Sequence, residues 1–211
     1  MIEQNLIKLF EHSFKNNWEL PAYTNYYRQV TLTYGDSAKQ IAKLHLLFEQ
    51  ANIKPGDKIS LIGRNTPNWT ITYVAVVTYG AVIVPILQDF NANDVHHIVN
   101  HSDSVLLFCS DKIWDKLDED KMENLMAVIS LNDFTCMYQN EENTMQSMLT
   151  NLNDEFAARY PNGYGPNDIH YPERDNSELA MISYTSGTTG FSKGVMLTAN
   201  ALAGNITYGI R

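Results

Sequence analysis

Apolar positions recur at two spacings along the 211-residue chain, and their alternation predicts strands interleaved with helices. Ile2, Leu6, Leu9, Phe10 and Phe14 share one helical face, so an amphipathic helix is expected over 2–18. Tyr23, Tyr26, Tyr27, Val30, Leu32 and Tyr34 crowd β-favouring side chains into 21–34, the pattern of a hairpin. Ile41, Leu44, Leu47 and Phe48 mark a helix over 36–52, stopped by the turn signal Lys54-Pro-Gly-Asp57. Lys58-Ile-Ser-Leu-Ile62 reads as a strand. Thr66 and Pro67 then supply an N-cap and a first-turn proline, with Gly80 where a closing glycine belongs. Further along, the apolar strand Val82–Ile86 precedes a helix over about 92–100, a strand at 105–108, a helix at 112–126 and a strand at 127–130.

Several of these strands are apolar at every position, as strands covered on both faces must be. The expected fold is therefore α/β, a mostly parallel sheet with helices on both faces. Residues 1–35 form a helix and hairpin in this reading, and 36–130 the α/β unit. Residues 131–178 read as an irregular connection, turn-rich at Arg159–Pro166. The chain closes over 179–211 with two apolar strands around a polar loop, then a helix capped by Thr198.

Composition narrows the function. An apolar content of 44% supports a real core. The net charge of −9, with no Lys/Arg cluster, argues against a nucleic-acid surface. Cys109 and Cys136 fit no metal-ligand spacing and are too few for a disulfide framework. The N-terminus lacks the basic and apolar blocks of a signal peptide. The longest apolar run, Val74–Leu87, is too short to span a bilayer and is broken by Gly80 and Pro85. A cytoplasmic chain is expected, with at most peripheral membrane contact.

The candidate chemistry sits in Tyr184-Thr-Ser-Gly-Thr-Thr-Gly-Phe-Ser-Lys-Gly-Val195, directly behind the apolar run Leu179–Ser183. Gly187 and Gly190 allow backbone N–H groups to close around an anion. Thr185, Ser186, Thr188 and Thr189 add hydroxyl donors, and Lys193 adds a mobile positive charge. The set suits a polyphosphate. It is not the Walker loop, because Lys193 precedes Gly194 rather than Ser or Thr. Ser186 lacks the Gly-x-Ser-x-Gly context of a hydrolase nucleophile. His97 and His101 share a helical face with Asp94, but two helix ligands do not make a structural zinc site, and a surface or capping role is expected.

Tyr184–Val195 resembles the phosphate-binding signature of the adenylate-forming (AMP-binding) superfamily, which includes acyl-CoA synthetases. Thr33–Asp36 matches the same family's entry into a helix, and Gly63–Trp69, Tyr79–Pro85 and the long insertion before the phosphate loop resemble its long-chain fatty acid–CoA ligases. Ser192 stands where the usual pattern has proline. The resemblance implies the amino-terminal part of the family's large domain, truncated at 211 residues and inactive alone. It implies ATP and Mg²⁺ as cofactors and CoA as co-substrate, acting on a carboxylic acid such as a long-chain fatty acid. Thr185, Ser186, Gly187, Thr188, Thr189, Gly190 and Lys193 would hold the phosphates. Lys193 would stabilise the departing pyrophosphate, and Thr185 would assist the metal. An amino-acid-activating adenylation domain and a non-catalytic nucleotide- or partner-binding module are the alternatives.

Overall fold

The computed structural model describes residues 5–26, 28–142, 144–185 and 192–209. An amphipathic helix, α1 (Leu6–Asn16), opens them, its first N–H groups taken by the Asn5 side chain. The hairpin β1 (Pro21–Asn25) and β2 (Val30–Thr33) follows as a separate two-stranded sheet. Thr33 ends that hairpin and starts α2 (Tyr34–Gln50). Its hydroxyl oxygen accepts the Asp36 N–H at 3.0 Å, while the Asp36 carboxylate accepts the Thr33 N–H at 3.0 Å. Such reciprocal capping satisfies two donors that a helix start otherwise leaves open.

The main sheet has the order β7-β6-β5-β3-β4-β8-β9. Strands β3 (Lys58–Ile62), β4 (Val82–Ile86), β5 (Ser104–Cys109), β6 (Ala127–Ser130) and β8 (Leu179–Thr185) run parallel. Antiparallel strands β7 (Cys136–Gln139) and β9 (Lys193–Thr198) close the two edges. The expected α/β fold is thus present, with mixed pairing at the borders.

Side chains alternate between two apolar layers, as the pleat requires. Ile59, Leu61, Ile83, Leu106, Phe108 and Ile129 face one layer with Phe48 and Ile71. Ile62, Val82, Val84, Leu107 and Val128 face the other with Val95 and Ile98. Full burial of such a side chain stabilises by about 1.5–3 kcal/mol. Helices α2 and α3 (Pro67–Tyr79) cover the first face, and α4 (Ala92–His101) covers the second. Helix α3 has the expected ends: Thr66 caps it, Pro67 opens it, and Gly80 leaves it at φ +91°.

His45 of α2 lies in the first layer, its Nε2 3.0 Å from Ala75 O and 3.1 Å from Thr78 Oγ1. A carbonyl can only accept, so Nε2 carries the proton. Burial pulls this imidazole down to about 4, against a partial opposing effect of the Ala75 bond.

Two stretches differ from expectation. The helix expected over 112–126 is only the short α5 (Asp111–Trp114), followed by a 3-10 turn at Glu119–Lys121. Asp118 gives its N–H to His96 Nε2 at 3.0 Å, which ties the backbone outside any helical ladder. The 131–178 segment, read as irregular, holds β7 and a helix, α6 (Met145–Arg159). Its buried residues Met145, Leu152 and Phe156 are a narrow apolar stripe among polar neighbours. The stripe is enough to dock α6 on α2, where Lys43 Nζ reaches Asn153 Oδ1 at 2.7 Å.

Candidate nucleotide site at the carboxyl end of the sheet

Strands β8 and β9 pair antiparallel, with the Gly/Ser/Thr-rich stretch between them in the sequence. Thr185 and Lys193 are the cross-strand partners that flank this stretch, and both are exposed. Directly opposed residues in such a ladder have Cα atoms about 4.5–5.5 Å apart. A hydroxyl and an ammonium are therefore brought side by side where the loop begins and ends. Ser192 is buried. Ser186, Gly187, Thr188, Thr189 and Gly190 lie outside the described residues.

One pair back from the tip, Tyr184 opposes Gly194. A Cβ built on Gly194 would lie 3.1 Å from Tyr184 Cζ and 2.9 Å from Ile182 Cγ2. The glycine is what lets the tyrosine ring lie flat across the neighbouring strand. Tyr184 Oη then reaches His101 Nδ1 at 2.7 Å, with the rings edge to face at 5.8 Å. Burial first, and the charge of Asp103 second, push the Tyr184 phenol above its ordinary value, so it stays a neutral hydroxyl on this contact.

The expected surface or capping role of the two histidines is refined accordingly. His101 lies in the last turn of α4, its ring centroid 5.4 Å from that of His97 at a 40° tilt, and is bonded to the strand that carries Thr185. Sequence spacing offered the His97–His101 neighbourhood, but not this partner 83 positions away. Among the described residues, no group of three His, Cys, Asp or Glu side chains is placed to hold a metal.

A cleft of ≈ 670 Å³ opens beside the hairpin, lined by Arg64, Asn65, Gln88, Asp89, Tyr184 and Thr185 among others. Its position follows from topology. The connection after β3 leaves through α3 on one face, and the connection after β4 leaves through α4 on the other. Adjacent strands whose connections part in this way leave a crevice at their carboxyl ends, where open α/β sheets bind ligands. Trp69 and Pro85 give the crevice apolar wall, and Arg64 gives it positive charge. The sequence reading singled out the hairpin; it gave no role to Arg64, Asn65 or the Leu87–Asp89 segment, which only folding brings to it.

The cleft and hairpin together can hold a ligand with an apolar, flat part and an anionic tail. A divalent cation fits as a companion of that tail: Thr185 offers one exposed hydroxyl, and Mg²⁺ characteristically takes few protein ligands alongside phosphate oxygens.

A model of the AMP-binding enzyme family matches residues 10–210. Long chain acyl-CoA synthetase 2 of Arabidopsis thaliana is 25% identical over 175 residues, covering 82% of this chain and 26% of that protein. Long chain acyl-CoA synthetase 3 of the same plant is 29% identical over 180 residues, covering 83% and 26%. The chain thus spans about a quarter of the length of the curated relatives it matches. Among solved structures, the anthranilate CoA ligase AuaEII in complex with anthranoyl-AMP superposes with a TM-score of 0.73 at 13% identity, over 94% of this chain and 35% of that one. At that identity the likeness is one of fold.

Proposed function

The chain belongs to the AMP-binding enzyme family, and on that footing we propose that it carries the ATP phosphate-binding part of an acid-activating ligase. In the proposed reaction a carboxylate oxygen attacks the α-phosphorus of ATP and the bond to the bridging oxygen breaks. Acyl-adenylate and pyrophosphate form; a thiol, here CoA, then takes the acyl group and releases AMP. The observation that carries this reading is the cross-strand placement of Thr185 and Lys193 at the tip of a hairpin beside the carboxyl-end cleft.

Each residue has a role set by its chemistry. The Lys193 ammonium neutralises negative charge that grows on the departing pyrophosphate, where a positioned cation lowers the barrier most. Backbone N–H groups and hydroxyls of Ser186, Gly187, Thr188, Thr189 and Gly190 hold the β- and γ-phosphates. Thr185 would present its hydroxyl to a Mg²⁺ accompanying the triphosphate, and that ion would supply charge neutralisation of the phosphate oxygens. Tyr184, held by His101 and seated on Gly194, keeps the two hairpin ends in register.

A long-chain fatty acid is the proposed acid, supported by the names of the relatives matched along the sequence. The anthranoyl-AMP bound to the structural relative shows that this fold also accommodates an aromatic acid. These 211 residues span only a quarter of the matched relatives. The complete reaction is therefore proposed for the family's longer architecture, and the 211 residues alone are proposed to bind nucleotide without turnover.

The test is acid-dependent ATP–pyrophosphate exchange by the product of the complete gene, with fatty acids of graded length, aromatic acids and amino acids. Exchange driven by fatty acids supports the reading. Exchange driven by amino acids alone replaces it with an amino-acid-activating domain. Nucleotide binding without exchange for any acid leaves a non-catalytic binding module.

A further inference from the structure

We infer a second anion site, for a phosphate-bearing ligand, in the cleft between the β1–β2 hairpin and the amino end of α3. It goes beyond the proposed nucleotide site and does not depend on it.

The arginines point to it. Four of the chain's five arginines lie among the described residues. Arg159 pairs with Glu49, and Arg174 with Glu178. Arg28 and Arg64 form no ion pair with a carboxylate among the described residues, and both line one cleft of ≈ 600 Å³. No Asp or Glu among the described residues lines that cleft, although the chain's net charge is −9. The carboxylate of Asp133, next along from the lining residue Asn132, attracts Arg28 through charge, but it stands outside the lining and accepts from the Thr135 N–H at 3.1 Å and the Thr135 hydroxyl at 2.7 Å. Two guanidinium groups in one concavity, with no carboxylate among the described residues of its lining, are a recognition surface for an anion.

The rest of the lining agrees. Asn25, Asn65 and Asn132 bring amide groups from the hairpin and from the ends of β3 and β6. The 13-residue helix α3 begins at this wall, with Thr66 and Pro67 in the lining, so its positive end faces the cleft. Two arginines plus about half a charge from the helix end match a phosphate dianion better than a single carboxylate. This cleft shares Arg64 and Asn65 with the one beside the phosphate hairpin, but Arg28 and Asn132 belong to it alone.

The experiment is an amide NMR titration of the 211-residue chain with inorganic phosphate at constant ionic strength. Saturable shifts are expected in residues 24–32, 64–68 and 131–132. Arg28→Ala and Arg64→Ala should each weaken the affinity about tenfold or more, with partial recovery in Arg28→Lys. Lys193→Ala should leave these shifts unchanged. Both arginines are exposed, and the amide spectrum reports directly that each variant is folded. Linear, unsaturated shifts, or an affinity indifferent to both alanine variants, would overturn the inference. Saturable shifts confined to 185–193 would also overturn it, and would instead support the phosphate hairpin.

Discussion

Replacing Gly194 with alanine sets a methyl group against the ring that anchors the phosphate hairpin. The added Cβ would lie 2.9 Å from Ile182 Cγ2, 3.1 Å from Tyr184 Cζ and 3.3 Å from Tyr184 Oη. It fits only if the ring tips away or the two strands part. Overpacking of this kind costs about 1–3 kcal/mol. Loss of the Tyr184–His101 hydrogen bond adds about 1 kcal/mol, while alanine in a strand recovers about 0.5–1 kcal/mol relative to glycine. The net expectation is a destabilisation of about 1–3 kcal/mol, read as a lower urea midpoint at unchanged slope. If the ring is the obstacle, Tyr184→Leu should relieve part of the clash. The double variant should then be more stable than the sum of the singles by about 0.5 kcal/mol or more. An unchanged midpoint for Gly194→Ala, or strict additivity in the double variant, would refute the reasoning.

Two further outcomes follow from buried groups elsewhere. His45 is held down to about 4 from an ordinary 6.5, so between those values the unfolded chain binds a proton that the folded chain refuses. Stability should therefore fall as the pH drops through that window, by up to about 3 kcal/mol. His45→Gln, which keeps an N–H for Ala75 O, should flatten that part of a pH-dependent urea series; a slope identical to that of the parent would assign it to other groups. Gly80→Ala places a side chain at φ +91° with its Cβ 2.6 Å from Arg174 Cδ. The left-handed backbone alone costs about 1–2 kcal/mol, so thermal unfolding should shift down by about 2–8 °C. An unshifted transition would mean that the α3 end and Arg174 adjust freely.

The parts of the fold legible in the sequence are those where local chemistry and burial agree. Helix α3 is the clearest: Thr66, Pro67 and Gly80 fix both ends within the chain itself, and the structure places each in its expected role. The largely apolar strands β3 to β6 announced a parallel sheet because a strand buried on both faces has little polar side to show. Helix α6 was hidden because its start has no side-chain cap and its buried stripe is only three residues wide. The false extension of α5 had the opposite cause. Ile113, Leu117, Met122 and Leu125 look periodic, yet the Asp118 N–H is drawn to His96 from another helix. Long-range partners of that sort leave no local trace.

The same division runs through the candidate site. The hairpin was legible because glycine, hydroxyls and a single lysine lie together in sequence. Its Tyr184–His101 anchor was not, since α4 and β8 meet only after the sheet forms. Nor was the convergence of Arg28 and Arg64, which sit on a hairpin and a strand end far apart in the chain. Such residues become visible only when partners are counted in three dimensions.

The most direct test of the central claim is calorimetric titration of MgATP into the 211-residue chain and its Lys193→Ala variant. Lys193 is exposed on β9, so its removal should leave the fold intact. The account predicts saturable binding by the parent chain and affinity weakened about 10- to 100-fold in the variant, the effect of deleting one charged hydrogen-bond donor. Equal affinity in the two chains, or no MgATP binding by the parent, would contradict it.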